Sequence, residues 1–195
     1  MNKKIVELIN LLNNKISEFP DNCYFNEEAN VNEIIDFDVE LGITLPDSYK
    51  IFLNNFNGGF ICNDSLAKSI KKNDSLEDAR WNSIHLFGLD EIRNAYNDKS
   101  QMNWKVFGDE YNVYPFIPFC RTSIGELLIF VNPLNKNDEC PVFDACHEEF
   151  PDSWGSLFKD FTEMLESYVA TNGNIETTSY DSPTAAEFIS NQKKE

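Results

Sequence analysis

Glu40-Leu41-Gly42-Ile43-Thr44-Leu45-Pro46-Asp47-Ser48-Tyr49-Lys50, continuing through Phe52-Leu53 and Phe56 to Asn57-Gly58-Gly59, is the stretch that decides the fold. Pro46 marks a helix start, because a first-turn residue loses nothing by lacking an N–H. Asp47 in the same turn meets the positive end of the helix dipole. Tyr49, Phe52, Leu53 and Phe56 then recur at helical spacing, and the stripe they form is expected in the core rather than around a ligand. Asn57-Gly58-Gly59 breaks the helix, and Phe60-Ile61-Cys62 reads as a strand.

Upstream, Ile5, Leu8, Ile9, Leu12, Ile16 and Phe19 follow the i, i+3, i+4, i+7 pattern of an amphipathic helix, stopped by Pro20-Asp21-Asn22. Val31, Ile34, Ile35 and Val39 predict a second helix, with Gly42 as its left-handed terminator. Downstream, residues 63–80 are polar and read as a surface excursion with some helix. Residues 84–87 predict a strand, 89–96 a short helix, and 97–112 a polar loop carrying Trp104. Residues 116–120 and 126–132 are the strongest strand signals, joined by Arg121-Thr122-Ser123-Ile124-Gly125 as a hairpin connection. Residues 141–146 follow as a third strand, so a meander forms the expected centre of an antiparallel sheet. Trp154, Leu157, Phe158, Phe161, Leu165 and Tyr168 predict one long closing helix, capped by Asp152 or Ser153. Beyond Thr171 the chain is polar, with Ser182-Pro183 and Phe188-Ile189 marking a short final helix.

The chain has 195 residues, 42% of them hydrophobic and sixteen of them Phe, which is ample for a core. Its net charge is −17. Such a surface repels phosphate backbones and anionic membranes, and it favours encounter with a basic protein. The acidity is uneven: residues 1–62 carry −6, 63–112 carry −2, 113–170 carry −7 and 171–195 carry −2. An acidic binding face should therefore draw on the first and third blocks. Five cysteines without a C-x-x-C pair do not resemble a secreted disulfide framework. The N-terminal helix is too polar for a signal peptide, and the longest apolar run, residues 127–131, is too short for a membrane span. A cytoplasmic location is expected.

Catalysis finds little support. His85 and His147 are the two histidines. Cys146 and His147 are adjacent and would point to opposite faces of a strand. A Cys120 nucleophile with either histidine, and a zinc site from Cys120, Cys140, Cys146 and His147, both lack a recognised spacing. No enzyme activity, cofactor or metal is expected. The candidate partner-binding residues are instead the acidic pairs Asp109-Glu110, Asp138-Glu139 and Glu148-Glu149, which fall in or beside turns and should face solvent. Trp104, Tyr111 and Tyr114 lie near the first pair and are candidate aromatic anchors.

The run Leu41-Gly42, Leu45-Pro46, Tyr49 and Asn57-Gly58-Gly59 resembles the signature of the SUKH superfamily, which includes fungal cell-wall assembly regulators and bacterial immunity proteins. Leu86-Phe87-Gly88-Leu89-Asp90-Glu91-Ile92, Phe116-Ile117-Pro118-Phe119 with Gly125-Glu126, and Val142-Phe143-Asp144 with His147-Glu148 are similar to later parts of the family pattern. The resemblance implies a single α+β domain, an antiparallel sheet of about five or six strands with helices packed against it, and no catalytic residues. The resemblance runs from about Val31 to Tyr168, and the SUKH-like domain expected around it covers residues 1–170, with a polar insertion near 63–80 and a polar tail at 171–195. It further implies an immunity protein that neutralises a cognate bacterial toxin by direct binding, and the charge favours a basic nuclease. The alternative is a scaffold or regulatory protein-binding module without a toxin partner.

Overall fold

The computed structural model describes residues 3–72, 76–97, 116–131, 139–146, 148–177 and 183–192. The expected first helix is α1 (Lys3–Glu18), buried through Ile5, Leu8, Ile9 and Leu12. A strand not expected from the sequence, β1 (Cys23–Phe25), follows it. Then come α2 (Val31–Leu41), α3 (Asp47–Leu53) and β2 (Gly59–Ile61). The 63–80 excursion folds into α4 (Asp64–Ile70) and α5 (Leu76–Trp81). Next are β3 (His85–Leu86) and α6 (Leu89–Asn97). The meander is β4 (Phe116–Arg121), β5 (Leu127–Val131) and β6 (Val142–Ala145). The chain closes with β7 (Ser156–Phe158), α7 (Phe161–Ala170) and α8 (Ala185–Gln192).

All neighbouring strands pair antiparallel, in the order β1-β2-β3-β4-β5-β6-β7. The seven-stranded sheet is larger than the expected five or six by β1, which follows directly on the Pro20-Asp21-Asn22 turn signal, and by β7, whose apolar residues also fit helical spacing. The central strands are buried on both faces, which explains why β5 reads as the unbroken apolar run Leu-Leu-Ile-Phe-Val.

On one face, Tyr49 of α3 makes edge contacts with Phe119, Phe130 and Phe161 at centroid distances of 5.3, 5.3 and 4.7 Å. Phe119 and Phe130 stack at 3.8 Å. Each well-placed aromatic pair adds roughly 0.5–1.5 kcal/mol beyond area burial. A bulge between Pro118 and Cys120 re-aims β4 at this point. The other face is covered at one end by α8, whose Phe188 meets Phe143 at 5.8 Å, and by Trp154 against Phe116 at 5.4 Å. Ala185 and Ile189 of α8 are buried in the main core, so the polar tail supplies part of that core. At its other end, Phe60 and Cys62 pack with Ala67 of α4 and Ala79 of α5 in a smaller cluster.

The expected single helix over 154–168 is instead Trp154, the strand β7 and the shorter α7. Its start is fixed at Asp160, whose carboxylate accepts from the Glu163 N–H at 2.9 Å. The Glu163 carboxylate accepts in return from the Lys159 N–H at 2.8 Å. Phe158 is thereby free to pair with Val142 at the sheet edge. The apolar spacing of Trp154, Leu157 and Phe158 fits either structure, and pairing with β6 decides between them.

Candidate functional site

Trp104, Asp109, Glu110, Tyr111, Tyr114 and Asp138 lie outside the described residues, as does His147. Glu139, Glu148 and Glu149 are described, and they occupy different environments.

Glu139 is half-buried and does not face solvent as its turn position suggested. Pro46 stands at the N-cap of α3 and offers no side-chain hydrogen bond. The Glu139 carboxylate fills that role from 91 residues away, accepting from the Ser48 N–H at 2.8 Å and the Ser48 hydroxyl at 2.5 Å. Burial pushes its carboxyl above the ordinary range, while the two Ser48 hydrogen bonds oppose the shift. Its acidic group serves the fold, and nothing in local sequence shows a cap delivered by tertiary contact.

Glu148 and Glu149 are exposed, immediately after β6. The register pairs Leu127 with Ala145 and Leu128 with Asp144, so Glu126, Asp144 and Cys146 project from one face of the meander. Glu126 Oε1 lies 3.9 Å from the Cys146 Sγ. Burial pushes the Asp144 carboxyl upward, and the charges of Glu126 and Glu149 push it in the same direction. One Asp144 oxygen is buried without a hydrogen-bond partner. Like charges are thus held together at an energetic cost, and no group of acids, cysteines or histidines among the described residues is arranged to hold a metal. Two exposed apolar side chains lie next to these acids in sequence: Ile124, two residues before Glu126 and 82% accessible, and Phe150, directly after Glu149 and 52% accessible. The sequence signalled Glu148 and Glu149 but not Glu126 and Asp144, which join them only through strand register.

The thiol–imidazole arrangement does not form between Cys120 and His85. Leu86 pairs with Cys120 and His85 pairs with Arg121, so the thiol and the imidazole point to opposite faces. Cys120 is fully buried, and burial pushes its thiol far above the ordinary range. His85 is buried as well. Its Nδ1 accepts from Arg80 Nε at 3.2 Å, which leaves the ring proton on Nε2, 3.3 Å from Glu91 Oε1. Burial, then Arg80 and Arg121, lower its pKa to about 3.

This histidine gives a pH signature. Below the ordinary value of 6.5 the unfolded chain takes up a proton that the folded chain refuses until about pH 3. Stability is present above that window and is lost as pH falls through it, with a slope of up to about 1.4 kcal/mol per pH unit. Urea unfolding of the parent and of His85→Gln at pH 7, 6 and 5 should show the parent losing stability faster. Parallel pH profiles would mean that His85 is not held neutral.

No helix among the described residues is long and apolar enough to cross a membrane. No curated protein matches the chain. The model of the SMI1 / KNR4 family (SUKH-1) does match, over residues 28–167. That span begins just before α2 and ends within α7, so it contains the α3–Gly-Gly–β2 unit, the meander and the acidic cluster. With most of the sheet and its packed helices inside one continuous match, the chain belongs to the SMI1 / KNR4 family (SUKH-1).

Proposed function

We propose that this chain is an immunity protein that neutralises a cognate bacterial toxin, a basic nuclease, by direct binding rather than by catalysis. The observation that carries the reading is the set Glu126, Asp144, Glu148 and Glu149 with Ile124 and Phe150, at one end of the meander in a SUKH-1 chain of charge −17. Carboxylates clustered this way can occupy a cleft built for phosphates, while the flanking apolar side chains supply desolvated contacts. Burial raises the Asp144 carboxyl most, and the repulsion that Glu126 and Glu149 add to it is relieved when cationic side chains approach. The overall charge adds long-range steering, which speeds encounter and weakens with salt.

The test is co-expression with the product of the adjacent gene, expected to be a toxin, followed by growth rescue and isolation of a complex. Reversing Glu148 and Glu149 to lysine is expected to slow association about tenfold or more at low salt, with a smaller effect at high salt. Stopped-flow or surface-plasmon measurements read this directly. Absence of both rescue and complex would refute the immunity reading. Rescue with unchanged association kinetics in the double variant would remove this edge from the interface.

A further inference from the structure

Helix α2 carries a second feature that the acidic edge does not absorb. Its core contacts come from Ile34 and Phe37. Val31, Ile35 and Val39 recur at i, i+4 and i+8 on another face, and they are 57%, 54% and 76% accessible. Single exposed aliphatics are ordinary on a protein surface, but three in line form a continuous ridge about 12 Å long. The helix needs none of the three to form. Asn30 and Glu33 make a full capping box at its start, and Gly42, at φ 64°, closes its end. Lys50 pairs with Asp38 at 2.7 Å, and Arg93 grips Glu40 through two nitrogens at 3.0 Å each.

The charges beside the ridge indicate what it meets. Helix α2 holds Glu33, Asp36, Asp38 and Glu40 and no basic residue; Lys50 and Arg93 already pair with Asp38 and Glu40, while Glu33 and Asp36 stay exposed. Glu27 and Glu28 are exposed just ahead of it. Asp36 lies on the solvent side, beside the ridge on the helical wheel. A second copy of α2 would place like charges opposite one another, which disfavours self-pairing. We infer that the outer face of α2 docks a basic, helical segment of a partner protein, its apolar residues seated on Val31, Ile35 and Val39 and its lysines or arginines facing the acidic flank. The docking follows the helix-to-helix mode in which apolar anchors recur every turn. It rests on the reading of the chain as a protein-binding module, and it uses a surface within the matched family span but separate in sequence from the 144–150 edge.

The test titrates the isotope-labelled full chain with a synthetic amphipathic helical peptide, leucines along one stripe and lysines on its flanks. A counterpart with glutamates in place of the lysines is the control. The lysine peptide should shift the backbone amide signals of residues 31–41 and lose about tenfold or more in affinity at high salt. The glutamate peptide should leave those signals unmoved. Ile35→Gln combined with Val39→Gln should weaken docking at least tenfold while the melting temperature stays within about 2 °C, because both side chains are solvent-facing. Any of three results would overturn the inference: no docking by the parent chain, docking unaffected by the double substitution, or a dimer of the chain that the double substitution dissolves. Peptide docking on α2 without any toxin association would sink the immunity reading alone. Toxin association without peptide docking would sink the α2 assignment alone.

Discussion

Tyr49→Ala is expected to remove about 3–5 kcal/mol of stability, a large share of what a domain of this size possesses. Tyr49 is fully buried, and its ring meets Phe52, Phe119, Phe130 and Phe161. The substitution opens a cavity among four rings that cannot collapse together without disturbing the Phe119–Phe130 stack. The hydroxyl adds a separate contribution. It lies 2.6 Å from the Phe87 carbonyl and 3.1 Å from the Phe119 carbonyl, tying α3 to the end of β3 and to β4 at its bulge. Tyr49→Phe keeps the ring and removes this donor, at an expected cost of about 1–2 kcal/mol. Chemical denaturation of the two variants separates the terms. The alanine variant should lower the melting temperature by roughly 10 °C or more. A drop of only a few degrees would show that α3 is not seated as described.

Gly58→Ala is expected to be comparably severe, at about 3 kcal/mol or more, from strain and steric overlap together. Gly58 has φ +85°, and a Cβ there would lie 2.3 Å from the Gly88 nitrogen. From the other side, a Cβ on Gly88 would lie 2.3 Å from the Asn57 carbonyl oxygen. Gly58, read as part of a helix break, and Gly88, which appeared only within the family pattern, therefore face each other, so that two backbone segments touch. The contact lets the Asn57 side chain accept from the Leu89 N–H at 2.9 Å and start α6. It also holds β2 against β3, a pairing of only two register positions, Gly59 with Leu86 and Phe60 with His85. Gly155→Ala is the control, because a Cβ there meets nothing within 4 Å. If the two alanine variants unfolded at the same urea concentration, the Gly58–Gly88 contact would not be a structural constraint.

Local sequence carried much of this architecture because the signals concerned were local. Pro46 and the glycine break place the start of α3 and both bounds of β2 within a residue of those observed, while α3 ends at Leu53, three residues before the Phe56 that closes the stripe. The meander was legible because each of its strands is four to six residues of strongly apolar chain. The strands missed or misread, β1 and β7, are no shorter than β2 and β3, which were read; β1 directly follows a turn signal and β7 lies inside a helical spacing. Strands that short exist only because a neighbour satisfies their backbone groups. The spacing of Trp154, Leu157 and Phe158 fits a helix equally well, and the Asp160 cap with the Val142 pairing overrides it.

The same distinction runs through the functional surface. The sequence by itself determined the family pattern, the −17 charge, the core helices and the acidic pair at Glu148-Glu149. Only the tertiary structure decided that Glu139 caps α3, that Glu126 and Asp144 join Glu148 and Glu149 at one end of the meander, and that Val31, Ile35 and Val39 turn away from the core. The physical reason is shared. Composition and periodicity report what a side chain can do, whereas register and packing fix which neighbours it meets. Charge repulsion, remote capping and exposed apolar ridges all depend on those neighbours.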